Sequence, residues 1–325
     1  NGAQGGMVTA DNRDLDRIRR IKRRIPDVTA IAFSDSGDQL LIGNSQGLCF
    51  LFAIDADTAS VRPIANFVAD VSSVRAAVFL PAGDSVITAS TDGQIAQWDT
   101  ATGQLQRRLP SSAPVTSLAL STGGRQLLVG HSPVKGTAAP VAQMLDLSGD
   151  QVSVRSLPLS TAHHDWTTNP PSVQSARFAG GDDNVVLSLF FPNQQSRGDK
   201  PTTRQSSYQL GYWDWQSDET AFQPLSVASR GEVSAASVYD GPDGSRLLVV
   251  GGKGARLLSA DRAGNFTRLT ASFRSASAIT AIGFAYDPQT ESTNRLVTGD
   301  SEGNVRIWEL VDGRWRENAG AAAQL

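Results

Sequence analysis

Six short apolar stretches begin in nearly the same way along the chain: Val28–Phe33 (VTAIAF), Val74–Phe79 (VRAAVF), Val115–Leu120 (VTSLAL), Val173–Phe178 (VQSARF), Val233–Val238 (VSAASV) and Ile279–Phe284 (ITAIGF). Their last residues are spaced 46, 41, 58, 60 and 46 positions apart. Each is followed by a turn rich in Gly, Asp and Ser, such as Asp35-Ser36-Gly37-Asp38. A second apolar stretch comes next: Gln39–Gly43, Ser85–Ser90, Gln126–Gly130, Asn184–Leu189, Arg246–Gly251 and Arg295–Gly299. All but the fourth end in small residues, as expected where neighbouring units converge. A third stretch and a more polar fourth, such as Gln104–Leu109 or Asn265–Leu269, complete each unit. Inner strands that are almost wholly apolar are covered on both faces, whereas an outer strand can face water. The pattern predicts an all-β fold of four-stranded antiparallel units. Only the spacing of apolar residues at 15, 18, 21 and 25 would suit a helix, and Arg20–Ile25 reads better as an outer strand ahead of Pro26.

The stretch Ser90-Thr91-Asp92-Gly93-Gln94-Ile95-Ala96-Gln97-Trp98-Asp99 shows how a unit turns. Asp92-Gly93 supplies a tight hairpin, and the strand after it ends in Trp-Asp. The design returns as Ser301-Glu302-Gly303-Asn304-Val305-Arg306-Ile307-Trp308-Glu309, and its end as Gly211-Tyr212-Trp213-Asp214-Trp215. Strands closing on Trp-Asp at intervals of tens of residues resemble the WD-repeat β-propeller family, in a divergent, bacterial-type form. The resemblance runs from about residue 20 almost to the C-terminus. It implies a β-propeller in which Asp92, Gly93, Trp98, Asp99, Trp213, Asp214, Glu302, Gly303, Trp308 and Glu309 are the repeat signature. Trp98 lies 19 residues after Phe79, and the same count reaches Phe52 in the first repeat and Leu257 in the fifth. Met144-Leu145-Asp146 ends the corresponding strand of the third. The Gly-His pair common in the family before the first strand is missing, so a histidine partner for the hairpin acid is not expected. Six repeats are visible. They make a six-bladed ring, or part of a seven-bladed or longer array. Arg20–Ile25 closes the last blade in one version, and Arg314–Asn318 completes it in the other. The domain reading is a flexible basic lead over 1–19, the propeller over 20–318, and a tail or linker over 319–325.

Composition narrows the function. The 325 residues carry a formal charge of −3, with no apolar run long enough for a bilayer. The single cysteine, Cys49, reads as a small buried hydrophobe, and a cytoplasmic setting is expected. Arg17, Arg19, Arg20, Lys22, Arg23 and Arg24 form a basic segment, read chiefly as a solvated edge. Three insertions, Ser132–Pro140, Ser160–Ser172 and Pro192–Ser207, enlarge loops that leave one face of the third and fourth units. Among them His163, His164, Asp165 and Trp166 are candidate contacts, with Trp166 as the anchor. Arg197, Lys200 and Arg204 make the neighbouring hairpin basic and suit an acidic partner. Adjacent histidines in a loop do not define a metal geometry, and Asp240-Gly241-Pro242-Asp243-Gly244 lacks the later acid of a calcium loop. No metal or cofactor is expected. The sequence has no nucleophile elbow, metal-spaced cluster or phosphate loop. The expectation is a non-catalytic scaffold or sensor domain for a protein or peptide, beside other domains of a multidomain signalling protein. A propeller hydrolase or lactonase, and attachment to nucleic acid or anionic membrane through the basic segment, are the alternatives.

Overall fold

The computed structural model describes residues 26–318 and 323–324, except 56, 59, 134–135, 138, 150, 158–159, 162–163, 166–169, 180–183, 195–204, 217–221, 226–234, 241–245, 253, 261–265, 288–291 and 313. The first blade contains β1 (Val28–Phe33), β2 (Gln39–Asn44), β3 (Leu48–Asp55) and β4 (Ser60–Val68). The second contains β5 (Val74–Phe79), β6 (Ser85–Ser90), β7 (Ile95–Asp99) and β8 (Leu105–Leu109), and the third β9 (Val115–Leu120), β10 (Gln126–His131), β11 (Ala142–Asp146) and β12 (Ser153–Leu157). A two-stranded hairpin, β13 (Ser160–Thr161) with β14 (His164–Asp165), precedes the fourth blade. That blade holds β15 (Ser172–Ala179), β16 (Asn184–Gln194), β17 (Gln205–Trp213) and β18 (Phe222–Pro224). The fifth holds β19 (Ala235–Asp240), β20 (Arg246–Gly252), β21 (Gly254–Ala260) and β22 (Phe266–Phe273). Each of these five sheets is antiparallel in simple chain order. A last sheet joins β23 (Ile279–Asp287), β24 (Ser292–Asp300), β25 (Asn304–Val311) and β26 (Arg314–Glu317), with β27 (Ala323–Gln324) added to β25.

The outer edge of β25 is thus fully occupied. β26 pairs with Trp308–Val311, Asn318 N donates to Ile307 O at 2.8 Å, and β27 pairs with Asn304 and Val305. The C-terminal segment, Arg314–Asn318 included, completes this sheet, and Arg20–Ile25 lies outside the described residues. Residues 323–324, assigned to the tail from sequence, contribute a strand.

Apolar packing lies between sheets, not within a central core. Separate buried clusters join the first and second, second and third, third and fourth, fourth and fifth, and fifth and last sheets. The small residues that close the second strands explain how closely sheets approach. A Cβ on Gly43 would lie 2.6 Å from Val74, one on Gly130 2.6 Å from Val173, and one on Gly251 2.8 Å from Ile279. Val74, Val173 and Ile279, each the first residue of an inner strand, are therefore knobs seated in the socket left by the preceding sheet. Val74, Val115, Val173 and Ile279 are 0–1% exposed.

The first blade breaks this rule. Val28 is 56% exposed. Cross-strand pairing aligns Phe33, Leu40 and Phe52 in the register that Phe79, Val86 and Trp98 occupy one blade later. The later set is buried, yet Phe33 is 58% exposed. Ile31 and Phe50, aligned through Ile42, are also exposed on that face. At the other end, Gly299 stands at the socket position but meets only Ala281 of its own sheet, at 3.5 Å. Inner strands pack in the succession β1, β5, β9, β15, β19, β23, and among the described residues no comparable packing returns from β23 to β1. Cys49 is fully buried in the first interface, where burial pushes its thiol up to about 12.

Candidate functional site

The repeat signature is structural. Trp98 stacks on Phe67 of the preceding blade at 4.5 Å, and Trp308 packs at a tilt against Phe273 at 4.8 Å. Each indole N–H donates to a threonine on the adjacent strand: Trp98 Nε1 to Thr88 Oγ1 at 2.8 Å, and Trp308 Nε1 to Thr298 Oγ1 at 3.1 Å. Threonine thus takes the indole. In the fourth blade Leu187 stands at that register, and the fully buried Trp213 Nε1 has no partner among the described residues. In the fifth blade the residue aligned with the tryptophans is Leu258, paired with Leu248, one position beyond the count to Leu257.

The acid after tryptophan caps the next turn. Asp99 Oδ1 accepts from Thr102 N and Thr102 Oγ1 at 2.8 and 2.7 Å, an Asx turn. Asp55, Asp146 and Asp214 accept turn amides in the same way. Hydroxyl and backbone donors hold Asp55, Asp99 and Asp146 below the usual carboxylate range. Glu309 does not cap; it accepts from Arg295 Nε at 2.9 Å.

At the opposite edge, Gly93 has φ +98°, and a Cβ there would meet Ala113 O at 2.9 Å. Ser90 Oγ lies 2.5 Å from both the Asp70 and Asp92 carboxylates. Burial pushes Asp92 up, but hydrogen bonds from Ser90 and its neighbours prevail and hold it at about 2. In the last sheet the working acid is Asp300, not Glu302, which is exposed. Asp300 Oδ1 accepts from Glu302 N and Asn304 N, both at 3.0 Å, and the Asn304 amide is the main reason its carboxyl sits at about 2. Gly303 keeps a positive φ of 84° in that hairpin.

His131 is wholly buried in the third blade. Its Nε2 lies 2.8 Å from Gln143 Oε1 and its Nδ1 3.2 Å from Ala113 O, and burial pushes its pKa down.

The six inner strands surround a central channel of about 380 Å³. The second position of each inner strand is polar: Thr29, Arg75, Thr116, Gln174, Ser234 and Thr280. The pairing skips this position in the first, second, third, fourth and last sheets, each time at a β-bulge. A bulge leaves one residue unpaired and re-aims its side chain. The described members of the ring, Thr29, Arg75, Thr116, Gln174 and Thr280, all line the channel. So does Arg177, half-buried three positions further along β15 than Gln174. Nothing in the sequence reading singled out these residues, although the polar second position was visible in every repeat.

The loop candidates give less. β13 and β14 place the His164–Asp165 backbone against Ser160–Thr161. His163, Trp166, Arg197, Lys200 and Arg204 lie outside the described residues, as does the basic segment Arg17, Arg19, Arg20, Lys22, Arg23 and Arg24. Among the described residues, no group of three His, Cys, Asp or Glu is arranged to hold a metal.

Residues 62–99 match the WD domain, G-beta repeat family. That span runs from β4 through β7, so the sequence repeat is offset by one strand from the structural blade. Telomerase protein component 1 of Mus musculus is 32% identical over 133 residues, 40% of this chain and 5% of that protein. WD repeat-containing protein 55 of Rattus norvegicus is 33% identical over 94 residues, 28% of this chain and 24% of that protein. The chain thus spans a quarter or less of either relative's length. The β-propeller domain of Myceliophteria thermophila Cps50 (Swd1) superposes with a TM-score of 0.64 at 15% identity, covering 93% of this chain and 89% of that one. With Trp-bearing sheets packed face to face and a propeller neighbour over nearly its whole length, this chain folds as a β-propeller, and residues 62–99 of it match a WD-type repeat.

Proposed function

We propose that the chain is a non-catalytic interaction scaffold within a multidomain signalling protein, holding an acidic protein or peptide partner on the loop-bearing edge of its third and fourth blades. The observation that carries this reading is the common exit of three long connections. The β10–β11 hairpin, the β12-to-β15 connection and the β16–β17 hairpin all leave the same edge of two blades packed on each other. WD-repeat propellers typically serve as protein-interaction scaffolds, and loops on a rigid frame commonly carry binding. The test compares capture of partners by the wild-type protein and by a folded variant carrying Trp166→Ala with residues 192–207 shortened. A partner held by the wild type and lost by the variant supports the loop-bearing edge. Equal capture by both removes it.

A second reading concerns closure of the array. We infer that one further four-stranded blade of the same repeat type fits between the last sheet and the first. Its support is the paired vacancy of knob and socket, Val28 and Gly299, with the unburied Phe33–Leu40–Phe52 register beside it. Because the sequence repeat is offset by one strand, the segment before Val28 supplies such a blade's outer strand. Val28→Cys with Gly299→Cys decides against direct closure, since the buried Cys49 does not interfere. Rapid intramolecular disulfide formation would mean that β1 packs on β23 and would overturn the reading. Failure to cross-link, with Phe33→Cys freely labelled by maleimide at all protein concentrations, supports an open slot. Labelling that falls with protein concentration would assign the face to a second copy instead.

A further inference from the structure

The channel has an electrostatic character that the scaffold reading does not use. Among the described residues its lining contains two guanidiniums, Arg75 and Arg177, and no Asp or Glu. The whole chain is acidic, at −3, so this is a local reversal of sign. Among the described residues neither arginine makes an ion pair. Arg177 Nη1 donates to Ala176 O at 2.7 Å, and burial pushes its pKa down, the mark of a cation without a counter-charge. Hydroxyls accompany the charges. Ser175 is 5% exposed, and its Oγ has no partner among the described residues; Thr116 Oγ1 is also unpartnered. By contrast Thr29 Oγ1, on the first blade, is used internally and donates to Val74 O at 2.5 Å. The free groups therefore fall on the second, third and fourth blades, away from the open slot.

Two features make this a built arrangement. The bulges that project Arg75 and Thr116 inward recur at the same register in neighbouring sheets. The volume of about 380 Å³ suits a small molecule and is too confined for a folded partner. Guanidiniums favour oxyanions because their planar N–H forks match phosphate and carboxylate oxygens.

We propose that the central channel binds a small, multiply charged oxyanion, a phosphorylated or polycarboxylate metabolite, held by Arg75 and Arg177 with the Ser175 and Thr116 hydroxyls as further donors. The site is independent of the partner on the loops, although the second-position ring opens toward the same edge. Ligand occupancy would place a small-molecule signal beneath that edge.

Calorimetric titration of the 325-residue protein with pyrophosphate, and separately with citrate, tests the site. Saturable binding of either at low salt is expected, weakening as salt rises. Arg75→Gln and Arg177→Gln should each weaken it about tenfold or more, the scale of one lost charge-assisted hydrogen bond. Arg62→Gln, on the exposed outer strand of the first blade, should leave it unchanged. Arg75 is exposed, so its variant remains informative even if the Arg177 variant proves poorly folded. Preference for pyrophosphate or for citrate distinguishes phosphoryl from carboxylate ligands. Absence of saturable binding, or equal loss in the Arg62 variant, would overturn the proposal. Tighter Arg75-dependent binding of a polyglutamate peptide would overturn the small-molecule assignment and give the channel to an acidic chain segment.

Discussion

At the scale of single residues, the Trp-Asp signature divides into two separate jobs. The tryptophan fills the space between sheets, and a threonine on the neighbouring strand satisfies its N–H. Thr88→Val keeps the volume but strands a buried indole donor, so it should cost about 1–3 kcal/mol, measured by urea unfolding. Titration acts at this scale too. Burial lowers the His131 pKa, so the unfolded chain takes up its proton first as pH falls below the ordinary 6.5. Stability should drop from that point, and His131→Gln should flatten the drop. Asp300 has the carboxylate version of the effect. Its folded value of about 2 lies below the ordinary 3.8, so its contribution is intact above 3.8 and is lost as pH falls toward 2. Unfolding midpoints across pH should show both steps, and Asp300→Asn should shrink the lower one, which Asp92 and the turn-capping acids share. Asp300 was not legible beforehand because the acid that serves the hairpin shifts by two positions between Asp92 and Asp300. Spacing alone favoured Glu302, whereas hydrogen-bond geometry chose the residue that ends β24, just before the turn.

At the scale of the strand and sheet, small residues and β-branched knobs set the spacing. Gly130→Ala would force a Cβ to 2.6 Å from Val173 and should cost about 1–3 kcal/mol. Gly299→Ala meets only an ordinary contact at 3.5 Å and should stay within about 0.5 kcal/mol. Equal penalties in thermal unfolding would refute the knob-and-socket account. The sockets were legible, since small residues end the second strands and the apolar first strands recur. The bulges were not. Alternation treats a strand as regular, and only the pairing shows that Thr29, Arg75, Thr116, Gln174 and Thr280 are skipped. Likewise, counting along the fifth repeat reached Leu257. That side chain faces the last sheet, while Leu258 faces the fourth blade.

At the scale of the whole molecule, equivalent residues have unequal worth. Phe79→Ala, inside the first interface, should cost about 3–5 kcal/mol. Phe33→Ala, at the same register on the open face, should change the stability of this chain by less than about 1 kcal/mol, since little apolar area leaves water there on folding. Paired chemical denaturation of the two variants checks this directly. The propeller class was legible because repetition multiplies a weak local signal. The channel was not, because its members lie about forty or more residues apart and meet only when the sheets are arranged radially. The skipped position has a consequence for how such a molecule diversifies. A residue outside the ladder contributes little to sheet pairing, so its chemistry can change while the scaffold stays intact. The second positions therefore act as interchangeable letters on a fixed frame: one can be rewritten from arginine to glutamine or threonine to alter what the channel accepts, with the blades as indifferent to the edit as a printing press to its type.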